Sequence, residues 1–371
     1  MDDGPVIRLA APDDVDALVS LEERVFDTDR MARRSFRRLI DRPTAALMVA
    51  ELEGQVVGYA LLLFRLGTAL ARLYSVAVEP KMQGHGIGAG LMDAAERIAF
   101  AHACVFLRLE VRPDNERAIA LYKQRGYRQF GRYLDYYVDH ADALRFEKRL
   151  SGVEVRAKEA PPYYHQTTDF TCGPACMIMA LAWFDRALKP DRRLEFRLWR
   201  ESTTIFMTSG LGGCEPYGMA VALARRGLRP TIWSSNSKPF FLEQVESAQR
   251  REIMRFVQED FKAEATAKGI AMERRTLTRD AVERALGEQA VVIMLVSGRR
   301  IFHHSDPHWV LIHGADAQHF YIHDPWLEET MLESPVATAG LPIPWGEFVG
   351  MARVGRARRS AAIIVHGDIK Q

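Results

Sequence analysis

Cys172 stands six residues after Gln166, at the head of the segment Cys172-Gly-Pro-Ala-Cys176, and far downstream follow Pro307-His308-Trp309-Val310 and His323-Asp324-Pro325. A thiol attacks an acyl carbon well only as thiolate. That chemistry asks for an accessible Cys172, a histidine beside it and, best, a helix N-terminus whose N–H groups and dipole favour negative charge. The apolar run Met177-Ile-Met-Ala-Leu-Ala-Trp-Phe184 supplies such a helix. Gln166 then sets a side-chain N–H beside the backbone N–H of Cys172, two donors for the oxyanion of a tetrahedral intermediate. His308 is the expected base, and Asp324, sixteen residues later, its orienter.

A second group of residues belongs to different chemistry. Leu73-Tyr-Ser-Val-Ala-Val-Glu-Pro80 reads as a strand, Gln83-Gly-His-Gly-Ile-Gly88 as a glycine-rich turn and Ala89 to Ala101 as an amphipathic helix. Glycines let the backbone come close to a ligand, and the first N–H groups of a helix point at an anion such as phosphate. The loop does not end in Gly-Lys-Ser/Thr, and Leu91 stands where a dinucleotide fingerprint wants Gly or Ala, so neither a Walker A loop nor a Rossmann loop fits.

Each group has rival readings. Cys172 and Cys176 lie one helical turn apart and could join His303 and His304 around a metal, though mixed Cys/His zinc sites show tighter local spacing; no metal is expected. The Cys172–Cys176 interval is one residue too long for a Cys-x-x-Cys dithiol. His313 is the second candidate base. Tyr122 fits ordinary core packing as well as chemistry, and Glu110 a strand-end surface position.

The elements that must hold these residues can be read along the chain. A length of 371 residues calls for two domains. Strands are expected at Val6 to Ala10, Ala45 to Leu52, Gln55 to Phe64, Val105 to Val111, Tyr127 to Val138 and Ala143 to Leu150. Helices are expected at Asp13 to Phe26, Arg33 to Ile40 and Asn115 to Arg125. Ser151-Gly152 opens a polar stretch running to Pro161-Pro162, which places a linker at 151–162 between domains at 1–150 and 163–371. The fold class is α/β (α+β) in both parts, and a helix from Phe240 to Ala267 lies inside an expected insertion near 190–285.

Composition narrows the function classes. A net charge of +2 implies no nucleic-acid partner or charged membrane surface, and the cluster Arg353, Arg356, Arg358 and Arg359 reads as a solvated face. The four cysteines, Cys104, Cys172, Cys176 and Cys214, have no framework spacing and suit a reducing, cytoplasmic setting. No leader and no apolar run near eighteen residues is visible, so no membrane partner is expected.

On Gln83-x-x-Gly86-x-Gly88, Leu109-Glu-Val-Arg-Pro-Asp-Asn115, Ala118-Ile-Ala-Leu-Tyr122 and Gly126-Tyr127, residues 5 to 150 resemble the Gcn5-related N-acetyltransferases (GNAT), most of all those acetylating the N-terminal alanine of a ribosomal protein. The resemblance implies a mixed sheet with flanking helices and acetyl-CoA as cofactor. It implies cofactor contacts from Val76, Val78, Gln83, Gly84, His85, Gly86, Ile87, Gly88, Asn115 and Tyr122, with Glu110 as general base and Tyr122 as general acid. Amide formation needs one proton accepted from the amine and one delivered to the departing thiolate, which a carboxylate and a phenol can do. Asn115 also reads as a helix cap.

The second part resembles the C39 family of papain-like cysteine peptidases, on Gln166, Cys172, His308 and Asp324. The resemblance implies a papain-like α+β domain in which these four are oxyanion donor, nucleophile, base and orienter. Together the two resemblances imply an acetyltransferase and a cysteine peptidase whose partner is a peptide or protein N-terminus. The alternative is an acetyltransferase whose second domain only binds peptide, or acts on another acyl or amide substrate.

Overall fold

The computed structural model describes residues 4–150, 160–207, 210–297, 307–327, 338–355 and 358–367. The chain divides into two compact units, Met1–Glu154 and Val155–Gln371. The expected linker lies largely outside the described residues, as do His303, His304 and Arg356.

The first unit holds strands β1 (Val6–Leu9), β2 (Ala45–Leu52), β3 (Gln55–Phe64), β4 (Leu70–Val78), β5 (Phe106–Val111), β6 (Arg128–Tyr133) and β7 (Ala143–Arg149), with helices α1 (Val15–Val25), α2 (Arg33–Ile40), α3 (Ile87–Ala101) and α4 (Glu116–Gln124). The strands form one mixed sheet in the order β1-β2-β3-β4-β5-β7-β6. β3 is apolar along nearly its whole length because helices cover both faces: α1 and α2 bury Leu18, Leu21, Phe36 and Leu39 on one side, and α3 buries Ile87, Leu91 and Ala95 on the other. Gly58 is needed for that approach, since a Cβ there would lie 3.0 Å from the carbonyl oxygen of Ala77 and 3.2 Å from Leu91 Cδ1.

Two features open this sheet. β4 and β5 pair in parallel only from Leu70 opposite Phe106 to Leu73 opposite Leu109, although β4 runs on to Val78. Tyr74 is the extra residue of a bulge against β3, so the strands separate at that point. The expected strand Tyr127 to Val138 is regular only over Arg128–Tyr133; beyond it, Asp135 and His140 take positive φ of 55° and 64°, which turns the chain back toward β7.

The second unit contains α5 (Cys172–Phe184), α6 (Arg192–Ser202), the short strands β8 (Phe206–Met207) and β9 (Gly210–Leu211), α7 (Pro216–Ala224), β10 (Arg229–Ser234), α8 (Ala248–Ala267), β11 (Ala271–Arg274), α9 (Arg279–Gly287), β12 (Val291–Ser297), β13 (Pro307–Ala315), β14 (His319–His323), β15 (Leu341–Pro344) and β16 (Ala361–His366). Its main sheet runs β11-β10-β16-β12-β13-β14-β15. α5 is apolar all round and buried from Cys172 to Ala182, the pattern of a central core helix.

The expected helix from Phe240 begins instead at Ala248, where Ser247 caps it by accepting the Arg250 N–H. Phe240 and Phe241 are core anchors, Phe241 has a φ of 62° that no helix tolerates, and Gln258 binds both the N–H and the carbonyl of Phe240 at 2.7 and 3.0 Å. The segment 190–285 is woven into the unit: β10 and β11 extend its sheet, and α7 and Met254 enter its core.

Candidate functional site

Cys172 is the first residue of α5, where the leading N–H groups of a helix have no partner within it. Gly173 follows because a Cβ there would sit 3.1 Å from both Cys214 Cβ and Met219 Sδ, and Pro174 is tolerated in a first turn. His308 lies in β13, antiparallel to β12 and β14, and Asp324 directly follows β14. The start of β13 and the end of the neighbouring antiparallel β14 deliver the imidazole and the carboxylate to one place. His308 Nε2 donates to Asp324 Oδ1 at 2.7 Å, leaving Nδ1 as the nitrogen for the side-chain hydrogen bond with Cys172.

Asp324 is completely buried and held on every side. Oδ1 also accepts the Trp326 N–H at 3.0 Å, its own N–H reaches the Thr338 carbonyl at 2.9 Å, and its carbonyl accepts Tyr163 OH at 2.9 Å. Burial alone works against a charged His308 ring, but Asp324 and then Cys172 outweigh it and raise the histidine to about 10. The arrangement favours a protonated His308 ring between Asp324 and Cys172.

Gln166 is buried beside this group. Its N–H binds the carbonyl of Pro325, the residue after Asp324, at 2.9 Å, and its side-chain Nε2 donates to the Thr168 carbonyl at 2.7 Å. One Nε2 hydrogen remains for an oxyanion. His313 makes its ring contact with His323, at 4.3 Å between centroids, and His323 is fixed by Pro161 and Gly340. The other thiols are poor nucleophiles: burial pushes Cys104 up to about 12 and drives Cys176 and Cys214 well above their ordinary range. Among the described residues no three His, Cys, Asp or Glu side chains gather as metal ligands.

In the first unit, Gly84 and Gly86 have φ of 93° and 79°, and Gly86 precedes α3 with no side chain capping the helix. No atom lies within 4 Å of a Cβ built on Gly86, so its backbone is open to a ligand. That opening, beside the free first-turn N–H groups, fits the pyrophosphate of acetyl-CoA. Val76 and Val78 lie on the part of β4 that β5 no longer covers. Gln83 accepts from Arg117 Nη1 at 2.7 Å, and His85 Nδ1 lies 3.2 Å from the Met82 carbonyl. Asn115 is a cap: its side chain accepts the Ala118 N–H at 3.1 Å. Arg117 escaped the sequence reading, yet it stands next to Gly84 and supplies a cation beside the phosphate loop; its place two residues after Asn115 was the available signal.

Glu110 meets a buried partner that sequence alone did not reveal. Arg72 Nε donates to Glu110 Oε2 at 3.0 Å, and Arg72 Nη2 donates to Tyr136 OH at 2.9 Å. Tyr122 is almost fully buried against Tyr127 and Phe146, and burial raises its hydroxyl to about 12, so it keeps its proton at neutral pH. Tyr137 lies within electrostatic reach of both Glu110 and Tyr122, linking the two candidates. Burial, and then Glu22, Asp29 and Glu110, raise the Tyr74 hydroxyl while Arg72 opposes them. Glu22, itself buried and raised by burial, binds Tyr59 OH and the Met31 N–H.

Because Gly86 is left-handed, Gly86→Val forces a β-branched residue into a strained backbone and fills the open approach. Acetyl-CoA affinity is expected to fall by about 1–3 kcal/mol, roughly 5- to 150-fold, through lost charge-assisted hydrogen bonds. Calorimetry decides the point, and an unchanged affinity removes the loop from the cofactor site.

Comparison with known proteins matches residues 161–366 to the Peptidase_C39 like family and residues 13–127 to the Acetyltransferase (GNAT) family. An uncharacterized N-acetyltransferase of Methanocaldococcus jannaschii is 32% identical over 145 residues, which is 39% of this chain and 91% of that protein. An uncharacterized protein of Mycobacterium leprae is 35% identical over 136 residues, 36% of this chain and 37% of that protein. The solved ribosomal-protein-S18-alanine N-acetyltransferase from Escherichia coli is similar at 23% identity, with a TM-score of 0.37 over 42% of this chain and 99% of that one.

Proposed function

Because the chain belongs to the Peptidase_C39 like family and carries a GNAT N-acetyltransferase domain ahead of that region, we propose that it cleaves a peptide at Cys172 and acetylates a peptide N-terminal amine. The observation that carries the cleavage is the Cys172–His308–Asp324 chain with Gln166 anchored on Pro325.

In cleavage, Cys172 Sγ attacks the scissile carbonyl and the oxygen takes the electron pair, held by Gln166 Nε2 and the Cys172 N–H. The C–N bond then breaks as His308 gives its proton to the departing amine. Water, deprotonated by His308, hydrolyses the thioester and releases the new carboxylate.

In acetyl transfer, acetyl-CoA supplies the acetyl thioester of the GNAT family. The residues of this chain do the rest. The loop from Gln83 to Gly88 and the backbone at Val76 and Val78 hold the donor, Glu110, oriented by Arg72, accepts the amine proton, and Tyr122 delivers one to the thiolate.

Cleavage creates a fresh α-amine and this acetyltransferase consumes one, so the order is cut, then cap. Intact protein given acetyl-CoA and a peptide library should yield acetylated cleavage products by mass spectrometry. Cys172→Ala should lose them while still acetylating pre-cut peptides; equal acetylation of uncut peptides by both proteins would separate the two activities.

A further inference from the structure

Glu195 is a wholly buried carboxylate in α6, at 0% exposure, that takes no direct part in the thiol chemistry. Its Oε1 accepts the Thr167 N–H at 2.8 Å, and its Oε2 accepts Tyr164 OH at 2.8 Å and Thr167 OH at 2.9 Å. All three bonds come from residues on either side of Gln166. A carboxylate this deep is costly unless it is fully hydrogen-bonded, so the 164–167 segment and Glu195 hold each other in one arrangement. On its other side the same segment is fixed to Pro325, one residue from Asp324.

We infer that Glu195 is a positioning residue for the oxyanion hole, which sets Gln166 Nε2 where negative charge develops; this rests on the acyl-transfer reading of Cys172. The bonds to Thr167 and Tyr164 leave Gln166 no freedom to swing as a loop. Preorganised donors stabilise an oxyanion because nothing must reorganise during the reaction. Glu195 therefore acts on steps that pass through an oxyanion and leaves other reactions of the thiolate alone.

Two reactions of one sulfur separate these cases. With p-nitrophenyl acetate, Sγ forms a bond to the carbonyl carbon, the oxygen carries the charge in the tetrahedral intermediate, and p-nitrophenolate leaves as the thioester forms. With iodoacetamide, Sγ displaces iodide directly and no oxyanion arises. In Glu195→Gln, which keeps the size but gives up one acceptor oxygen, the p-nitrophenolate burst should slow by about 10- to 100-fold while alkylation stays within about twofold. Gln166→Ala should show the same split, and the double variant should be little slower than Gln166→Ala alone, because both act through one donor.

Alkylation falling in parallel, an unchanged burst, or losses that multiply in the double variant would each overturn the assignment. If Glu195→Gln is not recovered folded, Thr167→Val removes one of the three bonds and should slow the burst alone; equal loss in both reactions overturns the inference. A parent protein that alkylates at Cys172 yet gives no burst overturns the acyl-transfer reading and this inference with it.

Discussion

Cys172 is expected to alkylate first of the four cysteines, and His308→Ala to slow that reaction at pH 6 by removing the imidazolium that faces the thiol. Cys172→Ala should abolish cleavage outright. The pH dependence follows from His308, whose raised value of about 10 means the folded state holds its proton more tightly than the unfolded chain does. The stabilisation is complete below about pH 6.5, the unfolded value, and is lost as pH rises through about 10. The thermal unfolding temperature should accordingly fall across that window in the parent, with a flatter profile in Asp324→Asn. Peptide mapping that finds Cys104, Cys176 or Cys214 labelled first would show the nucleophile to be misassigned.

Tyr122→Phe should lower kcat for acetyl transfer by roughly 10²–10⁴-fold while acetyl-CoA binding survives. The ring packs on Tyr127 and Phe146, and those contacts do not need the hydroxyl. With burial holding the phenol near 12, the group is protonated throughout the neutral range and can donate to the departing thiolate. Steady-state assays with a peptide acceptor, beside calorimetry with acetyl-CoA, separate the two effects. A full-rate variant would mean that water or another group protonates the thiolate.

The regular elements that place both sites were largely legible because their signals are local. Apolar periodicity marks α5 and the strands β2 and β3, and the glycines at 84 and 86 announce left-handed backbone. The Gln166, Cys172, His308 and Asp324 set was visible as residue types at spacings, while its geometry depended on β13 and β14 pairing in one register. Arg72 could not be attached to Glu110 from sequence, because that contact is made across the parallel β4–β5 pair, 38 residues apart. Glu195 was silent for the same reason: its role appears only once α6 packs against the segment before Cys172. The start of α8 was misplaced because Phe240 and Phe241 continue an apolar pattern whose true destination is the core, and the left-handed Phe241 carries no sequence mark.

The place of β16 bears on how this chain is made. Ala361–His366 lies between β10 and β12, so the middle of the second sheet is filled by residues synthesised after both of its neighbours. Every strand of the first sheet, by contrast, has been made once Arg149 is added. At about 5–20 residues per second, translation separates those two moments by roughly 10–40 s. The acetyltransferase domain can fold while the thiol domain still waits with two unpaired strand edges, which are open to aggregation. Until Ala361–His366 has been made, the middle of the sheet that carries His308 stays incomplete.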